Sequence, residues 1–178
     1  MNDAHLHLLF NHLPILGAFL SIPALLIALW RVQERAALGI AVVLLALAAA
    51  GAGASLETGE DAEEVVEGLP GVSERLIHTH EERAELATGL SVVTALLGAG
   101  ALAWGLKRGE GTPRAAIGAV LVANLVTAGA MAGVGASGGV IRHTEIRDGA
   151  AVSAEGGGPQ GDQGGEDEGG EEQDGDDD

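Results

Sequence analysis

The chain has 178 residues, 47% of them hydrophobic, yet its formal net charge is −17. Few soluble domains combine those figures, and here the apolar and charged residues are segregated along the chain. Residues 155–178 hold eleven Asp or Glu and nine Gly with no Lys or Arg, which leaves 15 acidic against 9 basic residues elsewhere. A polyacidic segment repels nucleic acid, so DNA and RNA are excluded as partners. With no cysteine, disulfides, thiolate metal sites and Cys nucleophiles are excluded as well.

Four charge-free apolar runs follow one another: 13–30, 36–56, 86–106 and 115–137, each of 18 to 23 residues. At about 1.5 Å per residue, roughly 20 residues cross a hydrocarbon core about 30 Å thick. Soluble helices of that length would carry a polar stripe, and these carry none. The expected fold class is therefore all-α: an integral membrane four-helix bundle over residues 1–147, in contact with the lipid bilayer. The first run is preceded by MNDAHLHLLFNH, without a basic n-region, and no small-residue cleavage site follows it, so it reads as a retained span rather than a signal peptide.

The first connection carries Arg31 and Arg35, and the third carries Lys107, Arg108 and Arg114. The opposite side carries Arg75, Arg83, Arg142 and Arg147. Five against four, with the first span pointing the same way, puts both termini and the 57–85 loop on the non-cytoplasmic side. The acidic, Ala- and Gly-rich, Tyr-free composition suits a high-GC bacterium, hence a bacterial inner membrane.

Within the 57–85 loop, Thr58-Gly-Glu-Asp61 resembles a helix start, and Val65, Val66 and Leu69 supply an apolar edge. A short interfacial helix is expected there, broken by Pro70-Gly71. Ser73 can cap a helix that runs into the third span. Gly138-Gly139 should end the fourth span and free residues 140–147 to fold back. Asn124, at mid-depth, reads as a helix–helix hydrogen bond. Residues 148–178 read as a disordered acidic tail with almost nothing to bury.

The six histidines share one side of this layout. His5, His7 and His12 precede or open the first span, His78 and His80 open the third, and His143 follows the fourth. Imidazole can bind haem iron, bind a bare transition metal or carry protons. Seven residues make nearly two helical turns, so His5 and His12 share a face and His7 points elsewhere. His80 lies on a line of small residues with Ala84, Ala87, Ser91, Ala95 and Gly98. His12 and His80 are thus the candidate axial ligands of a haem b, with Gly17 and Gly89 deeper in the bundle as room for the ring. A transition-metal site would instead draw on His5, His7, His78 and His143 with Glu81 and Glu145. The bland reading is a set of interfacial surface residues.

His5-Leu-His7 and Asn11-His12-Leu13-Pro14-Ile15-Leu16-Gly17, with Thr58-Gly59-Glu60, Leu69-Pro70-Gly71 and Arg142-His143-Thr144-Glu145, carry a resemblance over residues 4–147. The chain resembles uncharacterised bacterial four-helix predicted membrane protein families whose first span opens with a His-Phe-Pro-type motif. Leu13 stands where the usual pattern has Phe. The resemblance implies a four-helix membrane bundle with histidines at one face and brings no activity with it.

No phosphate loop, Ser-His-Asp order or HExxH motif is present, which points away from catalysis. The expected function is a haem- or metal-binding membrane redox component. The alternative is an accessory subunit without a cofactor, packed in a larger membrane complex or a homo-oligomer.

Overall fold

The computed structural model describes residues 2–33 and 35–147. Helix α1, Asp3–Phe10, begins where the Asn2 carboxamide oxygen accepts the His5 backbone N–H at 3.1 Å. Asn11 interrupts the chain for one residue while its own N–H still reaches the His7 carbonyl, at 2.9 Å. Helix α2, His12–Trp30, then resumes with Pro14 in its first turn, where no backbone donor is needed. Together α1 and α2 form the first helix long and apolar enough to cross a membrane.

Helices α3, Arg35–Val66, and α4, Glu74–Arg108, are the second and third. Their 32 and 35 residues make them about 48 and 52 Å long, well beyond a bilayer core. Residues 57–66 are thus the last turns of α3, and this corrects the expected separate interfacial helix. Thr58 starts nothing: its hydroxyl donates back to the Ala54 carbonyl at 2.8 Å. No proline interrupts 57–66, and its Glu and Ala residues favour helix continuation. The break comes at 67–73, where Gly68 and Gly71 take φ of 77° and 81°, the left-handed region that glycine enters without strain. Ser73 holds the N-cap position of α4 with extended backbone, but its side chain makes no capping bond.

Helix α5, Arg114–Arg142, passes through Gly138-Gly139 and ends three residues later than that pair suggests. The chain does fold back beyond it, through a 3-10 turn at Thr144–Ile146. Arg147 fastens the return: its guanidinium donates to the Val140, Ile141 and Gly71 carbonyls at 2.8, 2.9 and 2.6 Å. The expected tail at 148–178 lies outside the described residues.

Around the bundle α2 packs on α3, α3 on α4, α4 on α5 and α5 on α2, with α1 lying against α3. Packing is inverted relative to a soluble core. Ala18, Ala41, Ala48, Ala87 and Ala128 are buried, while Leu16, Ile40, Leu47, Leu96 and Val122 point outward. Larger core side chains, Leu25, Leu38, Leu45, Ile117 and Val120, concentrate in the half nearer the two short connections. Small interfacial residues let helix backbones approach where lipid, rather than water, surrounds the bundle. Gly17 makes this concrete: a Cβ there would sit 2.8 Å from both the Ala48 Cβ and the Leu44 carbonyl oxygen. A polar layer crosses the middle. Asn124 donates to the Ala18 carbonyl at 3.0 Å, and Thr94 and Thr127 hydroxyls meet at 2.9 Å. Asn124 is therefore the helix–helix bond its position suggested.

Candidate functional site

All six histidines lie at the end of the bundle that holds the 67–73 turn, beyond the charge-free stretches of their helices except for His12 at the boundary. Two of them come together, and they are His7 on α1 and His80 on α4. Their ring centroids are 6.4 Å apart with planes at 83°. Both are half-buried; His5, His12, His78 and His143 are exposed.

Each ring of the pair is oriented through Nδ1. The His7 Nδ1 lies 3.0 Å from the Ser55 carbonyl oxygen, which can only accept, so this nitrogen carries the proton. The Ser137 hydroxyl donates to the Val134 carbonyl at 2.9 Å, so its oxygen accepts from His80 Nδ1 at 3.1 Å. Both imidazoles are thereby set in the Nδ1–H tautomer, which puts the lone pair of each ring on Nε2. An acceptor on the second ring nitrogen is the usual way a protein fixes a metal-binding histidine.

Burial reinforces this. It pushes the His7 imidazole below its usual range, opposed by the Ser55 hydrogen bond. Burial does the same to His80, aided by the neighbouring His7 and Arg83 and opposed by the Val134 carbonyl. Both rings are held neutral, the form that can donate a lone pair. Backbone without side chains borders the pair: a Cβ on Gly138 would come 3.0 Å from His80 Cε1, and one on Gly59 3.5 Å from His7 Cε1.

The expected partner of His80 was His12, and here the structure differs. His5 and His12 do share a face of the first helix, but that face is exposed, and His12 Nδ1 donates to its own Leu8 carbonyl at 3.0 Å. The glycines expected beside the site also act elsewhere. Gly17 seats α2 on α3, and Gly89 is exposed with open space beside it.

The remaining candidates form separate surface groups. His78 faces Glu81 and Glu82 at 3.8 and 3.5 Å, and His143 Nδ1 donates to Glu145 at 2.8 Å. That bond, after a backbone N–H of Glu145 itself, holds the Glu145 carboxyl below its usual value. Glu81 shares a hydrogen bond with Glu63 of α3, which raises the Glu63 carboxyl. Among the described residues no three His, Asp or Glu side chains gather closely enough to hold a metal ion by themselves.

Sequence reasoning passed over His7 as a primary ligand because spacing says which residues share a face, not which face turns inward. A readable signal did exist: Ser55 and Thr58 on α3 and Ser137 and Gly138 on α5 put polar and small residues at the depth of His7 and His80. No family model, curated protein or solved structure matches the chain.

Proposed function

We propose that this protein is a bacterial inner-membrane component that holds a metal centre between the imidazoles of His7 and His80 and serves electron transfer. The observation that carries this reading is the pair itself: two half-buried rings from different helices, 6.4 Å apart, each with Nδ1 engaged by an acceptor from a neighbouring helix. Two imidazoles 6.4 Å apart centre to centre are near enough that His7 and His80 together would hold one metal ion. Two protein ligands suffice for a haem b, whose porphyrin supplies the other four, and the donor set therefore fits haem better than a bare ion. The bound group would supply one-electron chemistry. The chain's own part is to keep both imidazoles neutral and aligned.

The test is a visible spectrum with metal analysis on protein purified in mild detergent. A Soret band lost in both His7→Ala and His80→Ala and retained in His12→Ala supports the reading. Colourless protein that takes up neither haem nor copper nor zinc overturns it.

The basic connections support placing both termini and the histidine end on the non-cytoplasmic side. A second reading, an accessory subunit of a larger complex or a homo-oligomer, is favoured by α5. Gly129 and Gly133 face open space there, where a neighbouring helix could approach closely. Co-purification of a stoichiometric membrane partner, lost in Gly129→Leu, would favour it.

A further inference from the structure

Away from the histidines, α4 and α5 leave an apolar groove of about 470 Å³ on the outer surface, lined by Val93, Leu96, Leu97, Gly100, Trp104 and Ala116. The groove exists because Gly100 and Ala116 are small between larger neighbours; a Cβ on Gly100 would meet nothing within 4 Å. Its volume lies within the ~300–1,000 Å³ range of sites that hold a small ligand. Trp104, half exposed, closes the end nearer the connection between α4 and α5.

Helical spacing carries the groove straight into positive charge. Lys107 lies seven residues after Gly100 and eleven after Leu96, and Arg108 eleven after Leu97, so both continue the rows that line it. Arg108 is partly offset by Glu110 at 3.5 Å, and Arg114 turns away to the Leu29 carbonyl at 3.4 Å. Among the described residues this end of the bundle holds five basic residues against one acidic, Glu110, whereas the histidine end holds four against twelve.

We infer that the α4–α5 groove is a binding site for an anionic phospholipid, with an acyl chain along the groove and the headgroup phosphate at Lys107 and Arg108. The apolar slot fits a hydrocarbon chain, and Trp104 sits at the level where an indole bridges hydrocarbon and headgroups. The adjoining cations select a negative headgroup over a zwitterionic one. The site is independent of the histidine pair and stands whether or not that pair binds a metal.

The chain has two tryptophans, so Trp30→Phe leaves Trp104 as the sole reporter. This variant is placed in phosphatidylcholine vesicles containing a minor fraction of dibrominated phosphatidylglycerol, or the same fraction of dibrominated phosphatidylcholine. Phosphatidylglycerol should quench Trp104 more strongly, with a local enrichment of about fivefold for each basic side chain. The preference should vanish in the Lys107→Gln/Arg108→Gln variant and weaken in high salt in the unaltered headgroup site. Gly100→Leu should lower quenching by both lipids. Equal quenching by the two lipids at low salt would mean ordinary boundary lipid and overturn the site. Quenching by neither would mean that protein, such as a second copy, covers the groove, and would overturn it too.

Discussion

At the scale of single residues, protonation decides how the histidine end behaves. His7 and His80 lie outside the charge-free stretches, and their imidazoles are held below the ordinary value of 6.5, first of all by burial. The unfolded chain then binds more protons than the folded one between the lowered and the ordinary values, so stability rises with pH across that window. The contribution is complete above 6.5 and is lost as pH falls through the lowered folded values. Glu63 acts in the opposite sense. Its raised carboxyl contributes below 4.5 and loses that contribution as pH rises through its folded value. Melting of detergent-solubilised protein should therefore weaken on acidification from pH 6.5, and the double variant His7→Gln/His80→Gln should flatten that dependence. An unchanged slope would mean that the pair is not neutral in the folded state. His12→Ala, by contrast, removes an exposed ring bonded only within its own helix turn and should leave the pair intact.

At the scale of helices, glycine positions separate contacts that matter from composition. Gly17→Ala drives a methyl group against Ala48 and the α3 backbone, so α2 must shift; the cost should be of the order of overpacking, about 1–3 kcal/mol. Gly39→Ala has nothing within 4 Å to meet and should be neutral or slightly stabilising. Equal melting temperatures for the two variants would refute the tight α2–α3 contact. Gly138→Ala is informative differently. Its Cβ would lie 3.0 Å from His80 Cε1, so the ring must yield while α5 keeps its other contacts. The expected result is weakened metal or haem uptake with little change in melting, read by spectral titration. The α3–α4 extensions belong to this scale too. A sequence with loop-like charge density over 57–66 continues as helix because nothing in it stops one, and the apolar run alone marks where a membrane would end.

At the scale of the whole molecule, four helices in alternating direction put the histidines at one end and most basic residues at the other. The absence of native cysteine makes this directly measurable. Glu60→Cys should react with a membrane-impermeant maleimide on intact cells, and Gln33→Cys only after permeabilisation. The reverse pattern would invert the proposed orientation, and labelling of both from one side would break the four-span layout.

The sequence by itself determined the number and approximate position of the apolar helices, because uninterrupted apolar length is a property of the chain alone. It also determined that all six histidines share one end, since alternating spans leave no other arrangement. The turn at Pro70-Gly71 and the mid-depth role of Asn124 were equally legible. Only the tertiary structure decided which histidines meet. In water, the apolar face of a helix marks the inside; here Leu8 and Leu9 of α1 are exposed, and the inward face is the one bearing His7. With Leu suited to lipid and small or polar residues suited to the interior, hydrophobicity no longer reports which way a helix is turned. The packing of α1 on α3 turns His7 toward His80 and leaves His12 outside. The one-residue step at Asn11 and the close seat of Gly51 against Leu13 and Pro14 belong to that packing, and neither has a signature in periodicity.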